Sequence, residues 1–303
     1  MKQTAVAIGT FDGVHRGHQR ILAETRNLAA ARGLESVAYT FDGPPRSFAG
    51  PEPVSLLLPP DAKRALLESW VDRVECASFP SVRDLEPAAF VDQVLVEHLA
   101  SRLVVVGASF RFGRDRSGDA TWLGTFAAGR GVDVRVLPPL YVAGAPVSST
   151  RIREFLRAGD VEAAAELLGR PPVLLGVVEA GDRIGRTLGF PTANLRMDPR
   201  VLVPGAGIYL AHAFRAGAAS HALVYVGTRP TLLASVLRCE VHLLTPPEGD
   251  LHGTALEVRL LRRLRDDRRF PDLDALRHQM AEDLDQARML AVSFPLPPRP
   301  PAG

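Results

Sequence analysis

The amino-acid sequence predicts an α/β domain followed by a mainly β domain that ends in a helix. From Thr4 to about Gly169, short apolar runs alternate with longer amphipathic ones, the rhythm of βαβ units around a parallel sheet. After Arg170-Pro171-Pro172 the helical periods stop, and short β-rich runs punctuated by Gly and Pro follow one another. Near the end a single apolar stripe at helical spacing reappears.

In the first half, TAVAIGT, SVAYTF, RVECASF, LVVVG and DVRVL read as strands. Helices are predicted from Gly17 to Arg32, closed by Gly33, from Asp61 to Trp70 after a Pro-Pro start, and from Pro87 to Leu99, where Phe90, Val94 and Leu95 keep helical spacing. Asp160 is the expected N-cap of a last short helix, VEAAAELL, which Gly169 ends. In the second half, VLLGVVEA, GIYLAHAF, HALVYVG, LRCEVHLL and TALEVRLL make a compact antiparallel barrel or sandwich. Leu273, Leu276, Met280, Leu284 and Ala287 form the packing stripe of the closing helix. Residues 292–303, ending in PLPPRPPAG, read as a disordered tail. Domains are therefore expected at 1–169 and 173–291.

Composition narrows the function. The 303 residues suffice for two domains, each with its own core. With 46% hydrophobic and 23% charged residues the chain reads as globular, neither disordered nor membrane-embedded. A net charge of +2 supplies no strong pull toward nucleic acid or lipid, but small anions remain possible ligands. The basic residues are almost all arginine, Lys2 and Lys63 being the only lysines. Cys76 and Cys239 lie far apart in strand-like runs and are expected to be buried small hydrophobes in a reducing cytoplasm. The N-terminus shows no secretory h-region and no segment is long enough for a bilayer span, so a cytoplasmic location is expected.

The string GTFDGVHRGHQRI, residues 9–21, places a glycine-containing turn between a strand and a helix. Such a junction offers unpaired backbone N–H groups and the positive end of a helix dipole to a phosphate. His15 and His18 are three apart and share a helical face, and Gly17 leaves room for close approach. SSTRIREFL, from Ser148, sets hydroxyls and then an arginine at a helix start, which is either a second anion site or an ordinary N-cap. ASFRFGRDRSGD, residues 108–119, reads as a solvated loop or as a flap. GDRIGRTLGFPTANL, residues 181–195, combines glycines with Thr192 and Asn194, two neutral oxygens facing one side of an extended segment. As bare chemistry it is a Mg²⁺ and ATP site or a turn bonding its own backbone. Glu240 interrupts the apolar LRCEVHLL on the same face as His242 and opposite Cys239 and Val241, as either a functional carboxylate or a water-facing edge residue.

Together these strings resemble the bacterial bifunctional riboflavin kinase/FAD synthetase family, over roughly residues 4 to 290. The resemblance implies a Rossmann-like HxGH nucleotidyltransferase domain followed by a six-stranded antiparallel riboflavin-kinase barrel. It implies riboflavin, FMN and ATP as substrates and Mg²⁺ as cofactor. In the first domain it carries His15 and His18 onto the nucleotide phosphates as catalytic residues. Gly9, Phe11, Asp12, Gly17, Ser149, Thr150 and Arg151 become ATP or pyrophosphate contacts, and Arg111 and Phe112 flavin contacts. In the second domain it implies Gly181, Gly185 and Arg186 at the nucleotide, Thr192 and Asn194 as metal ligands, and Glu240 as the base. No nucleic-acid or membrane partner is implied, and a monomer or weak homo-oligomer is expected.

Departures from the family pattern are also legible. Ser109 stands where Asp or Asn is expected, FDGPP at residues 41–45 lacks the histidine of FDPHP, and Ala180, Tyr225 and His252 replace His, Asn and Tyr. Two alternatives follow: a monofunctional kinase with a decayed first domain, or a non-catalytic flavin-binding regulator. A cytidylyltransferase would explain the first half but not PTAN and Glu240.

Overall fold

The computed structural model describes residues 2–43, 54–180, 189–230, 235–246 and 249–297, with backbone alone at 228–230 and 235–237. Packing divides the chain into two compact units, Met1–Ser149 and Thr150–Gly303.

The first unit is built on a five-stranded parallel sheet. Its strands are β1 (Thr4–Ile8), β2 (Glu35–Phe41), β3 (Arg73–Ala77), β4 (Ser101–Gly107) and β5 (Asp133–Leu137), in the order β3-β2-β1-β4-β5. All five expected strands are present. Alternation on β1 sends Val6 and Ile8 into a core with Val37, Tyr39, Phe90 and Leu95, and Ala5 and Ala7 toward helix-lined cores that include Leu22, Leu67 and Ala29. Helix α1 (Arg16–Arg32) ends at Gly33, whose φ of 66° is the left-handed cap that glycine adopts without strain. Helix α2 (Pro60–Glu68) follows a Pro-Pro start and stops two residues before the expected Trp70. The stretch expected as one helix starts with Pro87–Ala89 and continues in wider π turns over Phe90–His98. Helix α3 (Ala120–Ala128), capped by Asp119, was not anticipated. Residues 108–119 form a small hairpin, Arg111–Phe112 paired with Gly118–Asp119.

The second unit starts with helices α4 (Ser149–Ala158) and α5 (Val161–Leu168), the latter capped by Asp160 and Gly169 as expected. Both helices are tied to the barrel: in α4 the Leu156 carbonyl accepts from Gly205 N and the Ala158 carbonyl from Arg263 at 3.0 Å, and in α5 Glu162 pairs with Arg262 at 3.6 Å. Strands β6 (Val173–Glu179), β7 (Ala193–Met197), β8 (Gly207–Arg215), β9 (Ala218–Pro230), β10 (Ser235–Leu243) and β11 (Ala255–Asp266) close an antiparallel barrel in the order β6-β7-β10-β9-β8-β11. The sixth strand, β7, comes from the PTAN segment itself. At the β6–β7 seam a Cβ on Gly176 would lie 2.5 Å from the Arg196 carbonyl oxygen, so the strands approach only because that residue is glycine. Gly176→Ala is expected to destabilise this unit by about 1–3 kcal/mol. Chemical denaturation followed in the barrel checks it, and an unchanged midpoint would show that the seam absorbs a methyl group.

Helix α6 (Leu273–Ala291) closes the chain, capped by Asp272. Its anchor is the expected stripe with one loss and one addition. Leu276, Met280 and Leu284 are half-buried and Ala287 is buried, but Leu273 is 62% exposed, and the buried position one turn before Ala287 is Asp283. Asp283 takes a two-pronged ion pair from Arg265, at 2.8 and 2.7 Å, so a charge satisfied across the interface joins the apolar contact. The tail expected from residue 292 is not disordered from its start: the Phe294 carbonyl accepts from His212 and His221 at 3.0 and 2.7 Å, and residues 298–303 lie outside the described residues. One cysteine expectation fails. Cys239 is a buried free thiol, pushed up to about 12 by desolvation, but Cys76 is exposed because β3 is the edge strand of its sheet.

Candidate active sites

The turn after β1 sits where the sheet order reverses between β1 and β4, the place where open α/β sheets bind ligands. Its backbone is held in unusual conformations. Phe11 and Val14 have φ of 47° and 40°, in the left-handed region that costs a side-chain-bearing residue of order 1–3 kcal/mol. Both side chains are fully buried, which compensates for the strain. A Cβ on Gly9 would lie 3.1 Å from the Phe11 ring, and one on Gly17 would lie 3.2 Å from the His15 ring. Asp12 is a joint rather than an open ligand: its Oδ1 accepts from Leu57 N at 2.9 Å and its carbonyl from Ser149 Oγ at 2.9 Å.

The two histidines meet as the spacing requires. His15 is the N-cap of α1, and its Nδ1 accepts from the backbone N–H of His18 at 3.3 Å. In its neutral form that bond leaves the His15 proton on Nε2. The rings stack with centroids 3.5 Å apart, and Phe11 meets His18 edge-on at 5.3 Å. His18 Nδ1 is buried with no hydrogen-bond partner among the described residues. An orphaned buried nitrogen beside a helix start fits a ligand that brings its own polar atoms.

Burial, then His15, then Lys63 hold the His18 imidazole well below its usual 6.5. Below 6.5 the unfolded chain therefore binds a proton that the folded protein refuses. The His18 contribution to stability is complete above 6.5 and falls away as pH drops toward the folded value. Denaturant midpoints of the first unit should decline on acidification from pH 7.5 to 5.5, and less steeply in His18→Gln. Equal slopes in both proteins would contradict this.

The other contacts expected of this half lie on separate elements. Thr150 and Arg151 open the second unit on α4, with the Arg151 guanidinium 5.4 Å from the Phe155 ring. Arg111 is exposed and pairs with Asp119 at 3.1 Å, whereas Phe112 is buried against Phe90, Phe110 and Trp122. Phe112 thus builds the core, leaving Arg111 as the accessible member of that pair. Sequence reasoning missed Lys63, noted only as one of two lysines. It is buried beneath the motif turn and lines, with Thr10, Asp12, Asp42 and Pro60, a small recess open to solvent.

In the second unit, register sets three side chains in a row: Asn194 on β7 faces Glu240 on β10, which faces Tyr225 on β9. Directly opposed residues of an antiparallel pair share a face. Cys239, Val241, Val224 and Val226 fill the barrel interior, so the row lies on its outer face, as the alternation around Glu240 predicts. Thr192 donates its hydroxyl to Glu240 Oε2 at 3.2 Å, and Arg238 approaches Glu240 at 3.7 Å. Tyr225, the departure from the family's asparagine, donates to Asp267 at 3.2 Å. Burial, reinforced by Asp267 and then Glu240, pushes its phenol up to about 12, so it remains a donor. Gly181, Gly185 and Arg186 lie outside the described residues.

Comparison with known proteins places each half in a described family. Residues 1–151 match the FAD synthetase family model and residues 168–291 the riboflavin kinase model. A bifunctional riboflavin kinase/FMN adenylyltransferase of Pseudomonas fluorescens is 40% identical, covering 94% of this chain and 92% of its own length. The protein of the same description from Escherichia coli K12 is 34% identical, covering 93% and 91%. A crystal structure from Streptococcus pneumoniae, solved under the name macrolide-efflux protein, superposes with a TM-score of 0.87 at 28% identity, covering 95% of both chains.

Proposed function

The chain belongs to the bifunctional riboflavin kinase/FMN adenylyltransferase family, and from that membership we propose how its residues divide the two reactions. The protein phosphorylates riboflavin to FMN with ATP and adenylylates FMN to FAD with release of pyrophosphate. Adenylylation belongs to residues 1–169, phosphorylation to 173–291, and residues 292–303 are a tail.

In adenylyl transfer a phosphate oxygen of FMN attacks the α-phosphorus of ATP, the bond to the β-phosphate oxygen breaks, and pyrophosphate leaves. The nucleophile is already an anion, so the step needs alignment and charge compensation rather than a base. His15 and His18 donate to the phosphates, with the N–H groups at the α1 start around them. Gly9, Phe11, Asp12 and Gly17 shape the turn that admits the triphosphate, Ser149, Thr150 and Arg151 hold the leaving pyrophosphate, and Arg111 serves the flavin side with Phe112 packed in the core behind it. The observation that supports this reading most strongly is the stacked histidine pair with the orphaned His18 nitrogen.

In the kinase step the riboflavin 5′-hydroxyl attacks the γ-phosphorus and ADP leaves. Glu240 takes the hydroxyl proton as the oxygen–phosphorus bond forms. Thr192 and Asn194 fit Mg²⁺ by their donor chemistry, hard neutral oxygens beside a carboxylate that the Thr192 hydroxyl already touches. Mg²⁺ held there with the ATP phosphates would neutralise charge developing on them. Gly181, Gly185 and Arg186 cover the nucleotide. The enzyme works in the cytoplasm as a monomer or weak homo-oligomer, without nucleic-acid or membrane partners. Among the described residues no helix is long and apolar enough to cross a membrane.

Purified protein incubated with riboflavin, ATP and Mg²⁺, with flavins resolved over time, tests the whole reading. FMN should rise first and FAD at its expense. FMN that never converts would support the decayed first domain, and riboflavin that binds unchanged would support a regulator.

A further inference from the structure

Lys63 is 7% exposed, and its ammonium sits where two strands of the first sheet end. It donates to the Phe41 carbonyl at 2.6 Å, the Thr10 carbonyl at 3.3 Å and Thr40 Oγ1 at 3.4 Å. The Thr40 hydroxyl in turn donates to the Thr10 carbonyl at 3.1 Å, so the three acceptors form one knot. Thr10 lies inside the strained turn that carries Phe11, Asp12 and His15, and Phe41 opens the FDGPP segment. A buried ammonium is costly unless bonded, and here all three of its protons have acceptors. The same side chain forms the wall of the recess that Asp12 and Asp42 share.

We propose that Lys63 is a positioning residue of the adenylyl-transfer site, clamping the exit of β1 to the exit of β2 and placing its ammonium under the turn that carries the histidine pair. The inference rests on the adenylyl-transfer reading of that pair. Knotting Thr10 to the end of β2 holds the turn in its left-handed conformations, which the chain would otherwise relax. The charge also helps keep the His18 ring neutral while the site is empty. The groups facing His18 are His15 beside it and Lys63 from α2, and those facing Lys63 are Asp12, Asp42 and Cys76. An incoming triphosphate then meets a neutral ring that donates through its one N–H, with an ammonium under the same turn.

The test uses the full chain with Lys63→Met, Lys63→Gln and Lys63→Arg. Riboflavin-to-FMN conversion serves as the internal control, and two quantities are read: kcat/KM for FAD formation from supplied FMN, and the His18 titration midpoint from imidazole carbon shifts in histidine-labelled protein. With Met or Gln, FAD formation should fall roughly tenfold to a hundredfold, with FMN formation unchanged and the His18 midpoint higher. Arg keeps the charge, so the midpoint should stay near that of the parent protein. If Met does not fold, the Gln and Arg proteins carry the same comparison. FAD formation within twofold of the parent in Met or Gln, or a His18 midpoint that does not move, overturns the proposal. A parent protein that makes no FAD would instead defeat the adenylyl-transfer reading, and the titration would still report the Lys63–His18 coupling.

Discussion

The His18→Ala protein, given riboflavin, ATP and Mg²⁺, is expected to accumulate FMN and make almost no FAD. In the proposed site His18 would face the phosphates, with a ring whose Nδ1 has no partner among the described residues. Loss of one aligned donor to a developing phosphate charge costs roughly a hundredfold to a thousandfold in rate. Removal of the ring also exposes one face of His15 and the edge contact with Phe11. His15 still caps α1 by accepting from the backbone of residue 18, so the helix start survives the substitution. Rates from supplied FMN separate the chemical defect from any shortage of FMN, and a FAD rate within tenfold of the parent would remove His18 from the phosphate site.

Glu240→Gln is expected to have the complementary effect. The amide keeps an oxygen for the Thr192 hydroxyl and the size of the carboxylate but cannot accept the riboflavin proton. General-base loss of this kind is worth roughly a hundredfold to ten-thousandfold. FMN formation should fall by that factor while supplied FMN is adenylylated at the parent rate. Initial rates of both half-reactions in one preparation check it, because the intact half-reaction certifies the enzyme concentration.

Much of the fold was legible because local chemistry and burial agreed. The parallel strands announced themselves as apolar runs, and the caps at Gly33, Asp160 and Gly169 lie where side-chain chemistry demands them. Asn194 and Glu240 could be named from their strings, yet only the register of β7, β10 and β9 puts them in a row with Tyr225. Cys76 misled because it shares a face of its strand with the buried Val74 but lies at the sheet edge, and strand order is absent from a local pattern. The α6 stripe was legible except at its first residue, Leu273, but the ion pair of Arg265 with Asp283 beside it was not, because periodicity reports only apolar contact. Lys63 escaped for a related reason. Its position on a polar helix face reads as solvated, and its burial arises from the meeting of α2 with the ends of β1 and β2. Its rarity in an arginine-rich chain was the one signal that could have pointed to it.

The central claim is that two separate sites in one chain perform successive reactions on the same flavin. An equimolar mixture of the His18→Ala and Glu240→Gln proteins tests it most directly, with riboflavin as the sole flavin supplied and FAD followed by chromatography. The kinase site of the first protein should release FMN to the adenylylating site of the second, so the mixture makes FAD where neither protein alone does. A mixture of two folded proteins that still makes no FAD would contradict the account.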